Sequence, residues 1–253
     1  MTAPQAEPRL RYDPACQACG AEACTPALSH AGVELYRCNE CGLVFLHPMP
    51  CAAEVATFYD DAYEGATTSY FTKVDKKMRR SRGRVRQIRR YVRAGRFLDV
   101  GCNGGFVVEA ARKQGFDAYG IDPDPVSIAY AREHYPRNTY FTGMMEAYDP
   151  GGLRFDAVYC SEVIEHVPDV NAFVAAIANA MAPGAVLYLT TPDISHWRRP
   201  RDLTQWDAFC PPSHCLYFSP HNLILLLDRH RFSVIRRRLA FKPGIKLFAR
   251  KAA

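Results

Sequence analysis

From Arg96 to the C-terminus the chain alternates short apolar runs with amphipathic stretches. Apolar runs near 96–100, 117–121, 138–142, 155–160 and 185–190 predict strands. Stretches near 104–114, 125–134, 170–181 and 220–229 carry apolar residues at helical spacing and predict helices. Phe232 to Leu239 and Ile245 to Arg250 predict two last strands, parted by Lys242-Pro243-Gly244. Strands and helices in alternation imply an α/β domain, a doubly wound and mostly parallel sheet covered on both faces. Upstream, residues 72–94 predict one helix: Val74, Met78, Val85, Ile88 and Val92 fall at spacings of four, seven, three and four, a single apolar stripe. Gly83 lies inside it as a candidate kink. Val33 to Cys38 alternates like a strand, and Leu43 to Leu46 predicts another, stopped by Pro48 and Pro50. Glu54 to Tyr63 carries Phe58, Tyr59 and Tyr63 among acids and predicts a short helix or ordered loop near a ligand site. Residues 1–14 are polar and proline-rich and are expected to be disordered.

The first strand of the alternating part, Phe97 to Val100, breaks into a glycine-rich turn, Gly101 to Gly105, and a helix follows. Strand, glycine turn and helix start form a nucleotide-binding unit, because backbone approaches the ligand closely and helix N–H groups point at it. About twenty residues on, a second strand ends in Asp122, where a carboxylate suits ribose hydroxyls. The glycines argue against a dinucleotide. That pattern needs glycine at 101, 103 and 106, where this chain has Gly101, Asn103 and Phe106.

The set of blocks Asp99 to Gly105, Gly120 to Asp122, Phe155 to Val158, Glu162 to Asp169 and Pro183-Gly184 resembles the class I S-adenosylmethionine-dependent methyltransferases. The resemblance covers residues 96–253. It departs at Asn103, where the family often has glycine, and at Met144, where it often has an acid. It implies a Rossmann-like seven-stranded sheet with an antiparallel last strand inserted beside the fifth. It also implies S-adenosylmethionine as cofactor. Asp99 with Gly101, Asn103, Gly104 and Gly105 then holds the methionine part, and Asp122 the ribose. Pro123 and Met145 flank adenine, while Cys160 and Ser161 line the methyl side.

Cys16-x-x-Cys19-Gly20 and Cys38-x-x-Cys41-Gly42 stand eighteen residues apart, the four-cysteine zinc pattern. Each following glycine is expected at positive φ, turning amides toward the sulfurs. A closed tetrathiolate leaves no open position, so this zinc is structural; Cys24, His30 and His47 are competing ligands. The chain thus divides into a tail (1–14), a zinc ribbon (15–50), a helical connector with the basic helix (51–95) and a methyltransferase domain (96–253).

An irregular stretch of about thirty residues, Thr191 to Ser219, leaves the carboxyl end of the fifth strand. A loop of that length, rich in aromatics, is expected to be functional. It is the candidate acceptor site. An oxygen acceptor needs a general base, and histidine suits neutral pH. His166 and His214 rank equally as bases and His196 third, with Glu162 able to orient one of them. A hydrogen-bonded structural role competes with catalysis for each.

Composition narrows the class. The net charge of +6 permits an anionic substrate. No apolar run is long enough to span a membrane, and residues 1–14 lack a basic-then-apolar signal pattern, so export is not expected. Ten cysteines then fit metal binding or reduced thiols. The chain is expected in the cytoplasm, acting on a small-molecule acceptor such as a sugar or polyketide. RNA is the second choice, served by the arginines and lysines of the 72–94 helix. A non-catalytic cofactor-binding scaffold is the third. The sequence leaves the oligomeric state open.

Overall fold

The computed structural model describes residues 15–30, 32–50, 54 and 73–253. The expected tail lies outside the described residues, as does the Glu54–Tyr63 stretch beyond Glu54. The first module has three antiparallel strands, β1 (Cys24–His30), β2 (Val33–Cys38) and β3 (Val44–Leu46). β2 lies where the alternation places it. β1 has no clear sequence signal: Pro26 interrupts it, its side chains are mostly exposed, and its pairing slips between Pro26 and Leu28. An edge strand tolerates such an irregularity.

Helix α1 (Val74–Ile88) buries Met78, Val85 and Ile88 of the predicted stripe, together with Ser81, while Val74 is exposed and Val92 lies beyond the helix end. It stops at Ile88 rather than continuing to 94, because Arg89 to Ala94 turn the chain back into β4 (Gly95–Val100). Then follow α2 (Phe106–Arg112), β5 (Phe116–Asp122), α3 (Pro125–His134), β6 (Thr139–Thr142), β7 (Phe155–Ser161), α4 (Val170–Ala180) and β8 (Met181–Thr191). A two-residue strand β9 (Leu216–Tyr217), α5 (Pro220–Arg229), β10 (Phe232–Arg237) and β11 (Ile245–Lys251) complete the chain. Local chemistry sets several starts. The Asp124 carboxylate accepts from the Val126 and Ser127 amides ahead of α3, and Ser219 with Asn222 forms a capping box with Pro220 in the first turn of α5.

The large sheet has seven strands in the order β10-β11-β8-β7-β4-β5-β6. β4 to β8 run parallel, and β11 lies antiparallel between β8 and β10. That is the inserted last strand the resemblance implies. Successive residues of each central strand are buried on opposite faces of the sheet. Phe97, Ala157, Tyr159, Val186 and Tyr188 pack with α1, α2 and α3. Leu98, Val158, Cys160, Leu187 and Leu189 pack on the other face with α4 and α5.

The second face also carries the N-terminal module. β9, from the long loop, pairs with β3 and becomes the fourth strand of the small sheet. The Leu46 amide extends this ladder to the Cys215 carbonyl at 2.9 Å. Leu35, Leu43, Val44, Phe45 and Leu46 are buried with Cys215 to Phe218 and with Leu223, Leu226 and Leu227 of α5 in one core. Gln17 clamps the module from its other end. Its side chain donates to the Pro168 carbonyl at 2.6 Å and accepts from the Val170 amide at 2.9 Å.

Two glycines make opposite forecasts. A Cβ at Gly120 would stand 2.7 Å from the Cys102 sulfur and 2.9 Å from Val108 Cγ2. Gly120→Ala therefore overpacks β5 against α2, costs about 1–3 kcal/mol and lowers Tm. Gly83 has open space around its Cβ position and no left-handed φ, so Gly83→Ala stabilises α1 by about 0.5–1 kcal/mol. Thermal unfolding of both variants checks the pair of signs.

Candidate active site

The glycine turn is built from the end of β4. Gly101 and Gly105 hold φ of 75° and 74°, and Asn103 holds 44°. Asparagine tolerates that left-handed conformation better than most residues, and its Oδ1 accepts from the Gly104 amide at 2.7 Å. This is how Asn103 holds a left-handed position in the turn without being glycine. Space is as tight as conformation: a Cβ at Gly101 would stand 2.4 Å from Val163 Cγ2, and one at Gly105 2.7 Å from the Tyr140 hydroxyl.

Two buried carboxylates flank the turn. Asp122 ends β5. Its Oδ2 accepts from the Asn103 amide at 2.8 Å and its Oδ1 from the Asp124 amide at 3.0 Å. Burial pushes its carboxyl up to about 6, against the pull of those two amides. Asp99, on β4, is also buried, and its Oδ1 has no hydrogen-bond partner. Burial raises it well above the ordinary range, the Asp122 charge adds to this, and Arg84 opposes. An unpartnered buried carboxylate oxygen beside a turn of backbone amides fits a ligand with a cationic group. Pro123 follows Asp122 and is half-buried, and Met145, which opens a single helical turn after β6, is buried. Of the two residues that end β7, Cys160 is wholly buried and Ser161 keeps accessible surface.

Past Ser161 the chain enters Glu162 with φ 57°, a strained conformation for that residue. The Thr190 hydroxyl donates to Glu162 Oε1 at 2.8 Å and lies 2.7 Å from Ser161 Oγ. Glu162 and Thr190 open onto a cavity of about 440 Å³, which Arg84, Tyr188, Arg238 and Lys246 also line. The sequence signal for it was faint: one arginine among many on α1, and charges on β11 and in the connection before it, far along the chain.

His166 and His214 meet edge to face, ring centroids 4.4 Å apart. The Nδ1–H of His166 donates to the Ser213 carbonyl and that of His214 to the Ala208 carbonyl, each at 2.9 Å. Burial lowers both; His214 falls to about 4, helped by His166. Neither lines the cavity. One donor atom each from Glu165, His166 and His214 lies within 4.8 Å of the others, a set that could also hold a metal ion. His196 spends both ring nitrogens locally, one toward the Ala240 carbonyl and one on the Arg198 amide.

The sulfurs of Cys16, Cys19, Cys38 and Cys41 lie within 4.8 Å of one another. Gly20 and Gly42 have the expected positive φ, 81° and 73°. The Cys41 amide points at the Cys38 sulfur at 3.4 Å. The spacing fits the sulfur–sulfur edge of a zinc tetrathiolate, about 3.8 Å. Cys24, His30 and His47 lie outside the cluster; the two histidines pack on Phe209 and Tyr36.

A family model described as a methyltransferase domain matches residues 70–236. The chain belongs to that family. Its seven-stranded sheet is the class I S-adenosylmethionine-dependent methyltransferase fold. A ubiquinone biosynthesis O-methyltransferase of Rhodopseudomonas palustris (strain TIE-1) is 34% identical over 137 residues, 47% of this chain and 53% of that protein. The chain thus spans about half the length of the curated relatives it matches. Two solved structures share the fold. The magnesium protoporphyrin IX methyltransferase of Synechocystis PCC 6803 with bound SAH has a TM-score of 0.59 at 16% identity, over 78% of this chain and 100% of that one. The 1,6-didemethyltoxoflavin-N1-methyltransferase of Burkholderia thailandensis has a TM-score of 0.59 at 16% identity, over 90% of this chain and 99% of that one. The matched region starts just before α1, so the chain carries its cysteine module outside the family's span. No helix among the described residues is long and apolar enough to cross a membrane.

Glu165 yields a pH forecast. Burial first, and the Glu162 charge second, push its carboxyl up to about 8. Because the folded value exceeds the unfolded one, ionisation costs the native state. Stability contributed by the neutral form is lost as pH rises from about 4.5 toward 8. Glu165→Gln removes that titration. The variant gains stability relative to the parent with rising pH, by up to about 1.4 kcal/mol per unit. Denaturant unfolding at pH 5, 7 and 9 measures it.

Proposed function

We propose that the protein transfers the methyl group of S-adenosylmethionine to a small-molecule acceptor. One observation carries the reading. Two buried carboxylates flank a glycine turn at the carboxyl edge of the parallel sheet, and an open cavity begins one residue beyond Ser161. Ligands of open α/β sheets bind at that edge. Small-molecule substrates named for the similar ubiquinone-pathway and toxoflavin-pathway enzymes support the acceptor class. The exposed arginines of α1 keep RNA as a second reading.

The bound cofactor supplies an activated methyl on a sulfonium, and the protein supplies placement and a base. Asp99 and the Gly101–Gly105 turn, with Asn103 and Gly104, would hold the methionine part. Asp122 accepts one amide at each oxygen, which leaves lone pairs for the ribose hydroxyls. Pro123 and Met145 would flank adenine. For an oxygen acceptor we assign the base to Glu162, the carboxylate that faces the cavity. His166 and His214 are neutral at pH 7 but accept protons weakly, because burial disfavours the imidazolium. Their bonds to Ser213 and Ala208 make them staples of the long loop. The four-cysteine module is a structural zinc ribbon spanning residues 15–50, joined through 51–95 to the methyltransferase domain of 96–253.

Labelled methyl from S-adenosylmethionine should enter the small-molecule fraction of a bacterial extract, with or without ribonuclease. Glu162→Gln should slow that transfer about a hundredfold and leave S-adenosylhomocysteine affinity unchanged. His214→Ala should lower Tm with transfer largely kept. The reverse pattern returns the base to the histidines, and ribonuclease-sensitive labelling moves the acceptor to RNA.

The ribbon is tested by elemental analysis. One zinc per chain is expected, and Cys38→Ser should release it. Full metal retention in that variant would move the ligand set toward Cys24 or a histidine.

A further inference from the structure

We propose that the cavity between α1, the end of β8 and the β10–β11 hairpin binds an acidic group of the acceptor, a carboxylate or a phosphate. This deepens the methyltransferase reading and rests on it for the word acceptor, but the anion site itself stands on separate residues. Arg84 enters from α1, and Arg238, Lys242 and Lys246 from β11 and the turn before it. Among the described residues, Glu162 is the one carboxylate that lines the cavity. Four cations against one anion leave the space strongly positive. Among the described residues none of the four cations forms an ion pair, so their charge is available to a ligand.

The four cations are exposed side chains, and local contacts hold Arg238, Lys246 and Arg84 in place. The Arg238 amide donates to the Lys246 carbonyl at 2.8 Å, which fixes the two residues across the hairpin. The Arg238 guanidinium also donates to the side-chain oxygen of Gln87 on α1. Arg84 lies 5.8 Å over the Tyr159 ring, and that ring stacks on Tyr188 of the cavity wall. A guanidinium fork suits a carboxylate or phosphate in a bidentate pair. At about 440 Å³ the cavity has the size of a small-ligand site. Pro243 and the Tyr188 ring add apolar wall for the rest of the molecule, and Leu239 stands exposed at the rim. Glu162 reaches Thr190, and Thr190 reaches Ser161. An acid seated on the cations therefore places the remainder of the acceptor toward the end of β7, where the methyl would arrive.

The test uses benzoate, phenyl phosphate and neutral benzyl alcohol as probes. Each is titrated calorimetrically into the full chain, with and without saturating S-adenosylhomocysteine. At least one anion should bind where benzyl alcohol does not, and which one binds separates carboxylate from phosphate recognition. Arg238→Gln and Lys246→Gln should each weaken the anion about tenfold or more. Glu162→Gln should tighten it, a gain that a misfolded variant would not show. Arg84 is left intact because its charge also reaches Asp99. Equal binding of benzyl alcohol and benzoate, absence of anion binding, or full affinity in the hairpin variants would each overturn the proposal. Anion binding by a protein that does not bind S-adenosylhomocysteine would uphold the anion site and sink the methyltransferase reading instead.

Discussion

The Asp122 carboxylate organises this molecule's centre. It closes β5, takes the Asn103 amide of the glycine turn on one oxygen and the Asp124 amide before α3 on the other. Three consecutive pieces of the fold thus meet on one buried side chain. The arrangement is costly, because a second buried carboxylate, Asp99, stands on the neighbouring strand, where burial raises its carboxyl and the Asp122 charge raises it further. Parallel pairing of β4 with β5 fixes both acids at the same edge of the sheet. Such a pair persists where surrounding structure holds it, and it leaves polar capacity that a bound ligand can use.

The small sheet is tied to the large one by a comparably specific device. β9 contributes only Leu216 and Tyr217, yet it puts the long loop into the cysteine module's ladder. The boundary after residue 50 is therefore a boundary in sequence and not in packing. The β3–β9 pairing and the imidazole staple between His166 and the Ser213 carbonyl both bear on the same loop.

Most of the large sheet was legible in the chain. Burial on both faces requires strands such as Val186 to Leu189, and Phe97 to Val100 apart from Asp99, to be apolar, which is a strong local signal. The Gly-x-x-Gly-Gly turn and Asp122 were readable because backbone conformation dictates residue type there. The cysteine pairs were readable for the same reason, through Gly20 and Gly42. Contacts made at long range were not. β1 is an exposed edge strand containing proline, and β9 is too short for any periodicity. The cavity gathers Arg84, Glu162, Arg238 and Lys246 from four separate elements, so no spacing announces it. Nor could the pattern show that His166 and His214 donate to backbone carbonyls, since that depends on how the loop folds back.

S-Adenosylmethionine chemistry is the claim on which the rest depends. Calorimetric affinity of the native chain for S-adenosylhomocysteine and for NAD is its most direct measurement. The account predicts one S-adenosylhomocysteine bound per chain and NAD bound far more weakly. Tighter binding of NAD would contradict it, because Asn103 and Phe106 would then have to serve a pyrophosphate turn that calls for glycine at both positions.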